Sequence, residues 1–73
     1  DVVLYPNPTK GNVTISLTSS ASYSLVSMLG QEIEKGAFTF GENALDISDL
    51  SKGLYLLNVK TGQGIATKRI IKQ

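Results

Sequence analysis

Side chains that could do chemistry are few in this chain, and none of them forms a recognisable catalytic set. The candidates for general acid–base work are the six carboxylates Asp1, Glu32, Glu34, Glu42, Asp46 and Asp49. A serine nucleophile needs an adjacent base, and the sequence contains no histidine. A Ser–Lys pair would need a lysine in an apolar setting, and none is found in one. The residues therefore predict that the protein is not an enzyme.

Ligands for a metal or a cofactor are equally scarce. Cysteine and histidine are both absent, so thiolate and imidazole ligands are missing. Asp46 and Asp49 flank Ser48 at a spacing typical of helix caps and Asx turns, and a calcium loop needs more oxygen ligands than these. No glycine pattern that cradles phosphate is present. We expect no metal, no cofactor and a structural role for these two carboxylates.

Length and charge limit the remaining classes of protein. Seventy-three residues suffice for one small domain. Seven basic and six acidic residues give a net charge of +1, too little to favour nucleic-acid binding. No apolar run is long enough to insert into a membrane, and no amino-terminal export signal is present. Because the chain starts at Asp1 without an initiator methionine, we expect residues 1–73 to be a single domain at the tail of a larger protein.

Apolar residues recur with the period of two that is typical of β-strands. Polar and apolar residues alternate strictly over residues 12–18, which predicts a strand with Val13, Ile15 and Leu17 on one face. Further strands are predicted at 23–27, at 31–36, at 44–47 and at 54–61. Residues 37–40 either continue the strand at 31–36 past a possible bulge at Gly36 or form another strand. The last strand, 65–71, has a register that alternation alone does not fix, since adjacent residues Ile70 and Ile71 cannot both face inward.

About seven short strands with turn signals every 8–12 residues predict an all-β fold, a small immunoglobulin-like antiparallel β-sandwich. Leu50-x-x-Gly53-x-Tyr55 is typical of a tyrosine corner, whose hydroxyl would bond to the backbone of residues 46–50. The connection 48–53 predicts one 3₁₀ turn capped by Ser48. In the strand at 54–61, Leu54 and Leu56 fall opposite the core face, so that face is either covered or an exposed apolar strip.

Both ends of the chain carry distinctive segments. Pro6-Asn7-Pro8 fixes two φ angles and predicts a stiff, extended lead-in to the domain. At the other end, Lys68-Arg69-Ile70-Ile71-Lys72-Gln73 places three cations around an isoleucine pair. The residues alone favour an edge strand protected by charge. The alternative is a short linear signal that a receptor reads by strand addition.

Two other functions stay open on the residues alone. Small sandwiches also occur as carbohydrate-binding or adhesin-type modules, which stack sugars on exposed aromatic rings. This chain has no tryptophan, and Phe38 and Phe40, which share a face, are expected in the core more than in a sugar platform. A purely structural spacer repeat is the third possibility.

Three groups of residues stand in a fixed order along the chain. They are Leu4-Tyr5-Pro6-Asn7-Pro8 with the strand that follows, Ser27-Met28-Leu29-Gly30-Gln31-Glu32-Ile33, and Asp46 to Tyr55 with the terminal Lys68-Arg69-Ile70-Ile71-Lys72. Together they resemble the carboxyl-terminal sorting domain of the type IX (Por) secretion system, type A. The likeness covers residues 3–72. Ser27 stands where the family usually has Asp or Asn, and Gln73 follows the last lysine.

This resemblance implies a function that composition does not. Sorting domains of this kind end proteins of Bacteroidetes-type bacteria, which reach the periplasm by a conventional signal peptide. The domain then directs the cargo through the outer-membrane translocon, with shuttle proteins as further partners. A sortase-like peptidase at the cell surface cuts ahead of the domain, and the cargo is released or joined to lipopolysaccharide. The implied protein is a non-enzymatic secretion signal, secreted or held at the outer-membrane surface. We expect it to be a monomer.

The family's motifs fall on seven residues of this chain. The implied sorting-signal residues are Pro6, Asn7, Pro8, Gly53, Tyr55, Lys68 and Lys72. We expect the prolines to keep the linker side stiff, Gly53 and Tyr55 to hold the fold, and the two lysines to present charge for recognition.

Overall fold

Seven β-strands make up the regular structure of the chain. A computed structural model describes residues 2–73, so Asp1, one of the six candidate carboxylates, lies outside the described residues. The strands are β1 (Val2–Tyr5), β2 (Asn12–Leu17), β3 (Ala21–Ser27), β4 (Glu32–Phe38), β5 (Gly41–Asp46), β6 (Gly53–Thr61) and β7 (Gly64–Lys72).

The strands form two sheets that pack face to face. One has three strands in the order β1-β2-β5, and the other has four in the order β4-β3-β6-β7. All strand pairs within these sheets are antiparallel. The predicted all-β, immunoglobulin-like sandwich is therefore confirmed. Nowhere in residues 2–73 is there a helix with the length and hydropathy needed to cross a bilayer.

Alternate residues of the central strands fill the space between the sheets. Val13, Ile15 and Leu17 of β2 are all buried, as the alternation predicts. The same holds in β6 for Tyr55, Leu57 and Val59. Each of these two strands buries one face because successive side chains point to opposite sides of a sheet. The rest of the core consists of Val2, Leu25, Phe38, Leu45, Ile47 and Ile70.

Strand β4 differs from the sequence prediction at Gly36. The strand passes through Gly36 without a bulge, and the register shift in this hairpin lies further along, between Leu25 and Val26 of β3. Gly36 instead lies beneath an aromatic ring. A Cβ placed there would be 3.0 Å from Cε2 of Tyr23, so a larger residue would push the ring away.

Tyr23 and Phe38 form an aromatic stack at one edge of the core. Their ring centroids are 4.0 Å apart, with planes 9° from parallel. The Tyr23 hydroxyl donates to Oε2 of Glu34 at 2.6 Å, and burial together with this bond raises the pKa of Tyr23 to about 12. Phe38 is buried as predicted, but Phe40 is 74% exposed, so a core role for Phe40 is wrong. With Phe38 enclosed, the two phenylalanines do not form a sugar platform.

The connection from β5 to β6 is a hydrogen-bonded turn rather than the 3₁₀ turn predicted. Asp46, not Ser48, provides the cap, because the Ser48 amide donates to Oδ1 of Asp46 at 2.9 Å. The Leu50 amide donates to the Ile47 carbonyl at 3.0 Å. Hydrogen bonds from Ser48 lower the pKa of Asp46. The expected structural use of Asp46 in an Asx turn is confirmed.

Candidate functional site

The terminal strand β7 forms one edge of the four-stranded sheet. It pairs with β6 from Thr61↔Gly64 to Gly53↔Lys72, which fixes the register that the sequence left open. Ile70 lies opposite the buried Tyr55 and is 0% exposed. Ile71 points to the outer face of the sheet and is 47% exposed. Only one member of the isoleucine pair is therefore available at the surface.

The same alternation places Lys68 and Lys72 on the inner side of β7. Both flank Ile70, and each is half-buried. Their stems lie against the rim of the core, while long lysine chains keep their ammonium groups in water. Arg69, in contrast, lies on the outer face and is exposed. The prediction that the two lysines present charge for recognition stays a prediction. The structure places both lysines at the rim of the sandwich.

Asn7 links the proline motif to β7. Its Nδ2 donates to the Arg69 carbonyl at 2.6 Å, and the Ile71 amide donates to its Oδ1 at 2.9 Å. Both X–Pro bonds of the motif, Tyr5–Pro6 and Asn7–Pro8, are cis. Two motifs that lie more than 60 residues apart in sequence thus form one structure. The sequence identified Asn7 only through the family resemblance and predicted no partner for it.

Thr9 continues this contact and was not singled out by the sequence. The Thr9 amide donates to the Ile71 carbonyl, and the Gln73 amide donates to the Thr9 carbonyl, both at 2.8 Å. Thr9 is 2% exposed, and its hydroxyl donates to the Asn12 carbonyl and accepts from the Gly11 amide. A threonine placed just before a Lys-Gly turn could have been recognised as a turn-stabilising residue. Nothing in the neighbouring sequence indicates that Thr9 pairs with β7.

Gly53 and Tyr55 lie at the same end of the molecule, on the strand that pairs with β7. Gly53 has a φ of 150°, which favours glycine over other residues, and it lies opposite Lys72. The Tyr55 hydroxyl donates to the Ser51 carbonyl at 2.6 Å. The predicted tyrosine corner is therefore present, but its acceptor lies one residue beyond the predicted range of 46–50.

Tyr55→Phe should lower the free energy of unfolding by about 1 kcal/mol, because it removes this partly buried hydrogen bond and keeps the ring. In a domain of this size, that corresponds to a fall in Tm of roughly 4–8 °C. Tyr5→Phe is the matched control, since it removes an exposed bond to Glu42 and should leave Tm nearly unchanged. Thermal denaturation followed by circular dichroism measures both. Equal losses in the two variants would contradict a special role for the corner.

An apolar patch covers the outer face of the four-stranded sheet next to this end of β7. We call it the outer patch, and it consists of Val26, Leu54, Leu56 and Ile71. Val26 lies opposite Leu56, and Leu54 lies opposite Ile71. Val26, Leu54 and Leu56 are half-buried and Ile71 is 47% exposed, so the second face of β6 is a partly exposed apolar strip. Contiguous exposed apolar surface is typical of a protein–protein contact site.

The turn between β3 and β4 adds further exposed apolar groups near the outer patch. Met28 and Leu29 form its tip, directly after Ser27, which lies opposite Tyr55. Gly30 has a φ of 84° and donates its amide to the Ser27 carbonyl at 2.9 Å, as the predicted turn requires. The middle group of residues from the sequence thus reaches the same end of the sandwich as the other two.

The charged groups do not assemble into a centre for chemistry. Within residues 2–73, no three acidic side chains come together in a way that could hold a metal ion. Tyr5 donates to Glu42 at 2.8 Å, and this bond is the main reason that the pKa of Tyr5 is raised. The distinctive arrangement of the site is structural: three separate sequence motifs meet around one edge strand.

The fold and this site define a class of protein, a small immunoglobulin-like β-sandwich module whose last strand is held by the segment between its first two strands. Within that class, the chain belongs to the family of secretion system C-terminal sorting domains (Por_Secre_tail), whose model matches residues 3–73. A search of curated proteins found no match. Membership in this family identifies the chain as a sorting signal of the type IX secretion system. The family is not catalytic. Membership also implies export across the outer membrane and interaction with the secretion machinery.

Proposed function

We propose that residues 1–73 act as a single non-enzymatic domain that directs an attached cargo through the type IX outer-membrane translocon. The cargo precedes the domain, passes through the periplasm and is cut free by a sortase-like surface peptidase for release or attachment. The translocon and its shuttle proteins bind the domain as a monomer. The proposal draws these steps from the family to which the chain belongs.

One observation supports a particular contact surface on the domain for the secretion machinery. The three motifs meet at one end of the sandwich, where Ile71 and Leu54 of the outer patch lie side by side. These partly exposed apolar groups, with Arg69 and the rim lysines around them, form the candidate contact surface. We propose that the machinery contacts this surface, with Gly53 and Tyr55 supporting the strand beneath it.

Fusion of residues 1–73 to a periplasmic reporter, in a bacterium that has the type IX system, tests the function. The reporter should reach the cell surface or medium with the domain and stay in the periplasm without it. Loss of delivery on removal of residues 70–73 would be hard to interpret, since this deletion also removes the buried Ile70. A surface variant is therefore the sharper test.

Ile71→Asp should reduce surface delivery at least about tenfold while the domain stays folded, because it places a charge in the outer patch without touching the core. Ile65→Asp is the matched control. Ile65 is also an outward residue of β7 and is exposed, but it lies at the opposite end of the strand. Delivery is measured by surface proteolysis of the reporter, and folding by thermal denaturation. Equal delivery by both variants would contradict the proposed contact surface.

A further inference from the structure

We propose that Asn7 is a positioning residue that clamps the terminal strand, and that the secretion machinery reads residues 68–73 as a fixed strand rather than as a free tail. The structural half of this inference depends only on hydrogen bonds within the domain. Its export half rests on the proposed function.

The hydrogen bonds show how complete the clamp is. An edge strand exposes the amide and carbonyl groups of every second residue. On β7 these groups belong to Arg69 and Ile71, followed by Gln73. Asn7 binds the Arg69 carbonyl and the Ile71 amide, and the main chain of Thr9 binds the Ile71 carbonyl and the Gln73 amide.

A carboxamide can do this because it holds an N–H donor and a carbonyl acceptor in one plane, as a peptide group does. The Asn7 side chain therefore takes the place of one strand residue, and Thr9, which forms a parallel bridge with Lys72, takes the place of the next. Proline on each side of Asn7 restricts the backbone from which the side chain extends. The segment 7–9 thus closes the edge of β7 over residues 69–73.

This closure has a consequence for recognition. A partner strand that added to residues 69–73 would need the same four backbone groups that Asn7 and Thr9 already occupy. Strand addition there would require the clamp to open. Recognition of the closed form must use side chains, and the clamp determines where they point: Ile71 and Arg69 outward, Lys68 and Lys72 toward the rim.

Amide hydrogen exchange on the 73-residue chain tests the clamp. Asn7→Ala should speed exchange at the Ile71 amide by about tenfold to a hundredfold, because the amide loses its acceptor and the edge loosens. Asn7→Asp keeps the acceptor oxygen but loses the donor to Arg69, so it should give a smaller increase. Asn58→Ala is the matched control. The Asn58 side chain also contacts β7, but it binds the Thr67 hydroxyl and no backbone group of the strand, so exchange at Ile71 should stay as in the parent.

The same variants, fused to the reporter, test the export half. Asn7→Ala should lose delivery at least about tenfold while thermal denaturation shows a folded domain, and Asn58→Ala should export normally. If Asn7→Ala does not fold, Asn7→Asp takes its place. Unchanged exchange at Ile71 in both Asn7 variants would overturn the clamp. Faster exchange with normal export would overturn the proposal that the machinery recognises residues 68–73 as a fixed strand, and would favour recognition of these residues as a free linear tail. Failure of the unmodified domain to export the reporter would overturn the proposed function and the export half with it, while exchange would still decide the clamp.

Discussion

Ile70→Ala should lower the free energy of unfolding by about 2–4 kcal/mol, the usual cost of truncating a fully buried isoleucine. Ile70 is 0% exposed and lies opposite Tyr55 in the sheet. A chain of this length without disulfides is stable by roughly 3–5 kcal/mol. The loss is therefore comparable with the whole stability of the domain, and we expect the variant to be largely unfolded at 37 °C.

Ile71→Ala is the control for this prediction. It removes the same atoms from the adjacent position of the same strand, but Ile71 faces outward. Its effect on the free energy of unfolding should be less than about 1 kcal/mol, since much of the side chain is already in water. Chemical denaturation with circular dichroism detection measures both variants. Similar losses, or a larger loss for Ile71→Ala, would show that the register of β7 is different from the one described.

This pair of variants also bears on how a terminal deletion is interpreted. Removing residues 70–73 takes away a core residue, an outer-patch residue and the Gln73 amide that binds Thr9. Loss of export after such a deletion would follow from unfolding as well as from loss of a recognition surface. Only single substitutions such as Ile71→Asp, which leave Ile70 in place, separate the two causes.

The sequence predicted the parts of the fold whose signal is local. The alternation of Val13, Ile15 and Leu17 indicates which face of β2 is buried, because a one-residue slip would expose all three. The tyrosine corner was also predictable, since the Tyr55 hydroxyl binds a carbonyl only four residues upstream. The turn at Gly30 follows from the same kind of short-range pattern.

Features that depend on distant partners were not predictable from the residues alone. Ile70 and Ile71 are identical side chains in one strand, and only the pairing of β7 with β6 determines which of them is buried. The bonds from Asn7 to β7 span 62 and 64 residues. The residues predict a possible bulge at Gly36 and give no sign of its actual neighbour, the Tyr23 ring, because that ring lies on another strand. Alternation with Phe38 predicts a core position for Phe40, but β4 ends at Phe38, so the alternation of faces does not continue to Phe40.

Thr9→Val should lower the free energy of unfolding by about 2–3 kcal/mol, although valine has nearly the same shape as threonine. The loss arises because two backbone groups of the turn, the Asn12 carbonyl and the Gly11 amide, lose their partner beside a buried side chain. Thr9→Ser keeps the hydroxyl and should cost less than Thr9→Val, even though it removes a buried methyl group. Denaturation midpoints rank the two variants, and the reverse order would contradict the role of the hydroxyl.

Thr67→Val is the matched control on the surface. The Thr67 hydroxyl donates to Asn58 at 2.7 Å, but both groups are exposed and can bind water instead. Its loss should change stability by less than about 0.5 kcal/mol. Exchange at the Ile71 amide adds a second readout, because the Thr9 main chain pairs with Ile71 and Gln73. If Thr9→Val speeds this exchange and Thr67→Val does not, the turn at 9–12 and the edge of β7 form one cooperative unit, so that stability at the start of the domain controls the order of its last strand.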